Sequence, residues 1–252
     1  MPELTMGLLL FVFVVQAAGF VIKGLIGFGN PLLTGPILSM ELDNAVISPS
    51  GLLCDAPTNA YISYKNRKKI QWKAIVPMTV LNLLGVIPGS LLLKYSFPWV
   101  IKAFLGVLVI GISIEMATRS RHKKKEGKQE NLLLRYGVAF LSGVFAGLYG
   151  INILIVAYIE RTSQDLDTFK GSMCFLFLME NLCRITMYCV TGIFTPYVLV
   201  LAAVTVPAAI LGIWASNLIQ PHVTPKQANR AINLLFLISG VSILIKALLL
   251  HA

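Results

Sequence analysis

Gly24-Leu25-Ile26-Gly27-Phe28-Gly29-Asn30-Pro31 interrupts an apolar run that starts near Met6 and is otherwise too long for one membrane crossing. A second interruption, Gly147-Leu148-Tyr149-Gly150-Ile151-Asn152, stands at the corresponding place in the second half of the chain. In a bilayer, backbone groups freed by a break need partners, so each break must face protein or a polar cavity. Paired interruptions at matching positions of two halves point to the binding site of a transporter.

The rest of the chain fits that setting. Of its 252 residues 56% are hydrophobic and 13% charged, with a mean hydropathy of +0.78. A soluble domain carries about 25% charged residues, so this chain has too few to clothe a water-facing surface. Its apolar stretches approach membrane-helix length, which predicts an all-α, polytopic helical membrane protein. The net charge of +10 is concentrated. Lys65, Arg67, Lys68, Lys69 and Lys73 crowd one loop, and Arg119, Arg121, Lys123, Lys124, Lys125, Lys128 and Arg135 another. Both flank apolar spans, the positive-inside pattern that predicts cytoplasmic loops rather than a nucleic-acid surface. Cys54, Cys174, Cys183 and Cys189 lie in apolar stretches without C-x-x-C spacing and read as packing residues. His122, His222 and His251 form no ligand cluster, so neither a metal nor a cofactor is expected. The segment from Met1 to Ala18 lacks a basic start and its apolar run continues to Gly27, which predicts a retained first helix rather than a signal peptide.

Spans are predicted at 6–27, 44–63, 74–94, 99–118, 168–190, 196–219 and 226–248, with residues 135–150 leading into the second break. Half-length pieces follow the breaks at 30–42 and 151–160. An offset near 124 residues lays Gly24 and Gly27 on Gly147 and Gly150, and Ser48 on Ser172. With some drift, Gly85 then meets Gly212. The predicted organisation is a first transmembrane repeat at 1–118, a basic cytoplasmic linker at 119–134 and a second repeat at 135–252. That makes about eight transmembrane helices, with a broken or re-entrant helix in each repeat. Parallel and inverted repeats both remain open.

Three stretches carry a family resemblance. They are Gly24 to Leu38, the loop Lys65 to Trp72 (KNRKKIQW), and Leu84-Gly85-Val86-Ile87-Pro88-Gly89, with a degenerate second copy at Gly143, Gly147 and Gly150. Together they resemble the sulfite exporter TauE/SafE permease family over nearly the whole chain. The resemblance implies a multi-pass protein of the bacterial cytoplasmic (inner) membrane that moves sulfite, sulfonates, sulfoacetate or related anions. One departure is Gly29-Asn30-Pro31 where the family commonly has a run of three glycines, so an amide replaces bare backbone there.

Candidate substrate-binding residues are Lys23, Gly27, Gly29, Asn30, Pro31, Asn59, Gly150 and Asn152. Bare glycine backbone lets N–H groups approach an anion, and a helix starting near Asn30 aims its positive dipole end at that charge. Close helix packing is the other use of such glycines, and it suits Gly143 and Gly147. Lys23 either completes an anion pocket or snorkels to an interface. Asp55, Glu180 and Arg184 are candidates for proton or cation coupling, because ionisable groups inside spans are costly and need partners or water. Glu180 and Arg184 have the spacing of an internal ion pair. Asp55 has no basic neighbour at helical spacing and is a relay or a partner for Lys23. Asn82 reads as a helix–helix hydrogen bond. The expected partners are a small anionic substrate and the lipid bilayer, not nucleic acid; a homo-oligomer is compatible with the pattern. The primary reading is a secondary transporter. Its rivals are an intramembrane enzyme acting on a lipid or quinone, and a non-transporting membrane subunit. No G-x-x-x-x-G-K-[ST], G-x-S-x-G or H-E-x-x-H is present.

Overall fold

Thr5 opens the first helix, its hydroxyl accepting from the Leu8 N–H at 3.2 Å and so satisfying a donor that helix starts leave free. From there α1 (Met6–Ile26) runs 21 residues, about 31 Å at the usual rise and so the thickness of a hydrocarbon core. It stops because Gly27 turns left-handed, at φ +89°, and donates its N–H to the Lys23 carbonyl at 2.6 Å. Gly29 is left-handed too, at φ +96°, a conformation that side-chain-bearing residues rarely adopt. The chain then restarts as α2 (Asn30–Leu38), with Pro31 in its first turn. α2 doubles back along α1: the Asn30 side chain lies over Gly19, while Leu38 and Leu42 share a cluster with Leu8, Val12 and Val15. The first break is therefore a re-entrant bend.

The computed structural model describes residues 3–38, 41–42, 44–92, 132–149 and 152–224, and scattered positions within 107–114 and 227–245. Most of the predicted span 99–118, the turn at Phe97-Pro98, most of the linker 119–134, and Gly150 lie outside the described residues, as does most of the span 226–248. The remaining helices are α3 (Asn44–Lys65), α4 (Trp72–Leu92), α5 (Leu132–Tyr149), α6 (Ile153–Thr162), α7 (Leu166–Thr191) and α8 (Pro196–Ile219). A 3-10 turn at Gln220–His222 follows α8. No strand occurs among the described residues. α5 starts at Leu132, three residues inside the stretch read as linker, because Leu132, Leu133 and Leu134 extend its apolar run. Among the described residues, Met6–Ile26, Leu166–Thr191 and Pro196–His222 are long and apolar enough to cross a membrane by length and composition.

The chain forms two compact units, Met1–Ile70 with Asp165–Asn229 and Gln71–Gln164 with Arg230–Ala252, each drawing on both halves of the sequence. In the first, α1, α3 and α8 run in one direction. Leu8, Val12 and Val46 cluster with Val198 and Leu201 at one end, and at the other Gly24 meets Ser216 while Lys65 reaches Asn217. α7 runs the opposite way, its start beside Gly24 and Gly27 and its Asn181 beside Asp55. Small residues bring these backbones together. Gly212 of α8 packs on the Ala17 carbonyl, Phe20 and Val21 of α1. In the second unit Gly85 of α4 packs in the same way on the Phe140 carbonyl, Gly143 and Val144 of α5. One constant shift carries Ala17, Phe20 and Val21 onto Phe140, Gly143 and Val144, so the same close contact is made twice.

The first unit carries large apolar side chains on its outside and several polar ones within its apolar core. Leu10, Val14, Leu182, Met187, Val190, Ile210, Leu211 and Trp214 face outward, whereas Gln16, Lys23, Asn30, Asn59, Lys170 and Asn181 are buried. Cys54 and Cys174 are buried as expected, but Cys183 and Cys189 lie on the outward face of α7, where apolar surroundings suit them equally well.

Gly85→Leu and Gly212→Leu should each lower the thermal midpoint in detergent, by about 1–3 kcal/mol of overpacking or more, since backbone rather than a flexible side chain stands in the way. Gly137→Ala, with open space at its Cβ position, should leave the midpoint unchanged or slightly raised.

Candidate functional site

A lysine inside a membrane helix needs a counter-charge, and Lys23 finds one across the helix interface. Its side chain is 2% exposed and its ammonium pairs with Asp55 Oδ1, with a longer contact to the Asp55 carbonyl at 3.4 Å. Lys23 is thus sequestered in the interior and does not snorkel. The second carboxylate oxygen accepts from Asn59 Nδ2 at 3.5 Å and Asn181 Nδ2 at 3.4 Å. Asp55 therefore joins α1, α3 and α7. Pro57 deprives the preceding turn of a backbone donor, and Thr58 supplies a hydroxyl to the carbonyls of Cys54 at 3.1 Å and Asp55 at 2.9 Å. Thr58 thereby engages two carbonyls of the turn that carries the carboxylate, next to the Leu53 carbonyl that Pro57 leaves free.

One turn beyond Lys23 the end of α1 exposes its last carbonyls, the negative end of the helix dipole. α7 supplies the donors. Lys170 Nζ donates to the Gly24 carbonyl at 2.7 Å, and Cys174 Sγ donates to the Gly27 carbonyl at 3.1 Å. Lys170 and Cys174 are four residues apart and so lie on one helix face. Phe28 closes the bend edge-on against Phe169, with centroids 5.9 Å apart. Gly27, Phe28, Gly29 and Asn30 are buried, and a Cβ at Gly27 would meet the Lys170 backbone at 3.0 Å. Pro31 is exposed. The Oδ1 of Asn30 is buried without a hydrogen-bond partner, as are Gln16 Oε1 and Asn59 Oδ1.

Beside this end of α1 lies a cavity of about 540 Å³. Gly24, Lys65, Lys170, Ser216 and Asn217 line it, whereas Gly27, Gly29, Asn30 and Pro31 do not. At its rim Lys69 Nζ reaches Asp167 Oδ2 at 2.6 Å and Asp165 Oδ2 at 3.7 Å. Asp165 caps α7, accepting from the Thr168 N–H at 2.7 Å, and that bond chiefly holds its carboxyl below the usual range. Hydrogen bonding and attraction to Asp167 push the Lys69 ammonium the other way, above its ordinary value.

The other candidates lie elsewhere. Glu180 and Arg184 flank Asn181 on α7, both half-buried, and it is Asn181 that reaches Asp55. Asn152, in the second unit, precedes α6, its Oδ1 accepting from Asn82 Nδ2 at 3.3 Å and Ser142 Oγ at 3.4 Å. Asn82 thus makes the helix–helix hydrogen bond its position suggests. Asn181, Lys170, Ser216 and Asn217 were not singled out from sequence, and only the cost of a lysine near a span could have flagged Lys170.

Residues 10–243 match the protein-family model described as Sulfite exporter TauE/SafE, nearly the whole chain. The chain belongs to the sulfite exporter TauE/SafE family. No curated protein and no solved structure matches it. Membership makes it a membrane transporter of the sulfite/anion-exporter type, a permease family rather than an enzyme family. In this TauE/SafE chain the described unit around α1 carries two deeply buried lysines, Lys23 and Lys170.

Asp55→Ala should cost about 3–5 kcal/mol, because it strands a buried ammonium, while the double variant Lys23→Met/Asp55→Leu should recover most of that loss in detergent melts. The Asp165 cap contributes stability above the ordinary carboxylate value that is lost as pH falls through its lower folded value. The Lys69 contribution is present below the ordinary lysine value and lost as pH rises past it. Asp165→Ala should cost about 1 kcal/mol at neutral pH and flatten the stability loss below pH of about 4.

Proposed function

We propose that this protein is a secondary transporter for a small oxyanion, sulfite or a sulfonate, in the bacterial cytoplasmic membrane, with its substrate path beside the first glycine break. The observation that carries the reading is Lys23, buried one turn before the bend and neutralised by a single carboxylate. An anion arriving beside the pair offers the ammonium a second partner, and Asp55 is then free to take up a proton or a cation. Asp55 is the coupling group, with Glu180 and Arg184 on α7 alongside, and Asn59 orients it. Gly27 and Gly29 form the bend, and Asn30 and Pro31 the start of α2, whose dipole favours negative charge. Asn30 Oδ1 and Asn59 Oδ1, both buried and unpartnered, are acceptors and suit the coupling proton or cation better than the anion. The contact made twice, at Gly212 and at Gly85, supports a duplicated architecture, with Asn152 and Gly150 as the second copy of the break.

The membrane potential sets the direction. An inside-negative potential of 100 mV favours outward movement of a dianion by about 4–5 kcal/mol, so export needs no co-ion, whereas uptake needs at least two positive charges for neutrality.

Purified protein in liposomes should drive flux of sulfite or of a short sulfonate, and the folded double variant Lys23→Met/Asp55→Leu should be inactive. Turnover of a lipid without any anion flux, or a double variant that transports normally over a wide pH range, overturns this reading.

A further inference from the structure

Two lysines in the first unit are each 2% exposed, yet only one has a carboxylate. Lys23 is paired with Asp55. Among the described residues no carboxylate lies within ion-pair distance of Lys170, whose ammonium donates to the Gly24 carbonyl at 2.7 Å. An ammonium carries three donors, so among the described residues two are left over, and a buried charge without a counter-charge is expensive. What Lys170 has instead is the cavity of about 540 Å³.

The walls of that cavity are one-sided in charge. Lys65, Arg67, Lys68, Lys69 and Lys170 line it against a single acid, Asp167. Asp167 is already engaged by Lys69 at the rim, at 2.6 Å. The guanidinium of Arg67 stacks on the Tyr64 ring, 4.0 Å from its centroid, and donates to the Tyr64 carbonyl. Lys65, Lys68 and Lys170 are then the lysines of the wall that no carboxylate engages among the described residues, and of these Lys170 is the buried one. Lys65 donates to Asn217 Oδ1 at 2.9 Å, a bond that occupies the amide oxygen and leaves its NH2 as a donor. Two cations and an amide donor around a space are complementary to an oxyanion.

We propose that this cavity is an anion-loading site, separate from the Lys23–Asp55 pair, which takes a free oxyanion of one or two negative charges between Lys170 and Lys65. The separation follows from the helices. Lys65 is ten residues beyond Asp55 on α3 and Lys170 eleven before Asn181 on α7, each about 15 Å of rise. The volume exceeds a bare oxyanion several-fold, a water occupying about 30 Å³, so the anion keeps much of its hydration and is held loosely. The positive-inside pattern puts this mouth toward the cytoplasm, where an exporter collects its cargo. Anion binding stands without the transport reading; only the word loading rests on it.

Equilibrium dialysis of [35S]sulfate against the purified full-length protein in neutral detergent at low salt tests the site, with unlabelled sulfite as competitor. Wild type should bind, Lys65→Gln should weaken binding about tenfold, the value of one charge-assisted contact near 1.4 kcal/mol, and Lys170→Met should abolish it. Lys73→Gln, a basic residue outside the cavity, should bind as wild type. Lys65 is exposed, so its variant keeps the test valid if Lys170→Met fails to fold. In liposomes Lys65→Gln should raise KM for sulfite with little change in kcat. Wild-type binding by both folded variants overturns the proposal, and so does a site that takes only anionic lipid and never sulfate. Binding that depends on Lys170 in a protein showing no flux sustains the site and removes the permease reading; flux with an unchanged KM and no sulfate binding does the reverse.

Discussion

The pairing of Lys23 with Asp55 is the constraint around which the first unit is arranged. A lone ammonium or carboxylate at that depth is costly, so α1 and α3 must present the two groups to each other. Asn59 and Asn181 complete the carboxylate's shell, which brings α7 into the same register. Apolar contacts among these helices lack direction, since lipid is as good a partner as another leucine. The charges and amides provide the direction, and glycines at the crossings allow the approach.

This division of labour explains why the outward surface of the unit is plain and its interior is not. Leu10, Val14, Ile210 and Trp214 face outward and carry no positional information. Inside, Lys170 and Cys174 satisfy the carbonyls of Gly24 and Gly27 that the bend sets free. A break in a membrane helix is tolerable only when such donors are at hand. The bend and the start of α7 are therefore one construction, although more than a hundred residues separate them in the chain.

Much of this was legible from the residues. The breaks, the half-length piece after the first, and the ends of α1, α3 and α8 follow from hydropathy and from glycine and proline placement. Asp55 stands out because it lacks a basic neighbour at helical spacing, and pairing with Lys23 is one of the two roles its sequence context offers, the other being a relay. Asn181 could not be chosen, since a neutral amide in a span looks the same whether it meets lipid-facing neighbours or a carboxylate. Lys170 was hidden for a different reason. Third in its predicted span, and three residues after Asp167, it reads as a headgroup-level lysine; only the ends of α1 and α3 packed over it make it interior. Gly85 and Gly212 matched as duplicates, yet likeness between halves does not say that α1 of one half packs on α8 of the other.

The tip of α1 and the base of α7 have a consequence for motion. Sliding α7 by one turn, or rotating it by one residue, would uncap two carbonyls and part a buried lysine from the carbonyl it donates to. Relative sliding of those two segments therefore carries a cost that motion elsewhere in the unit does not.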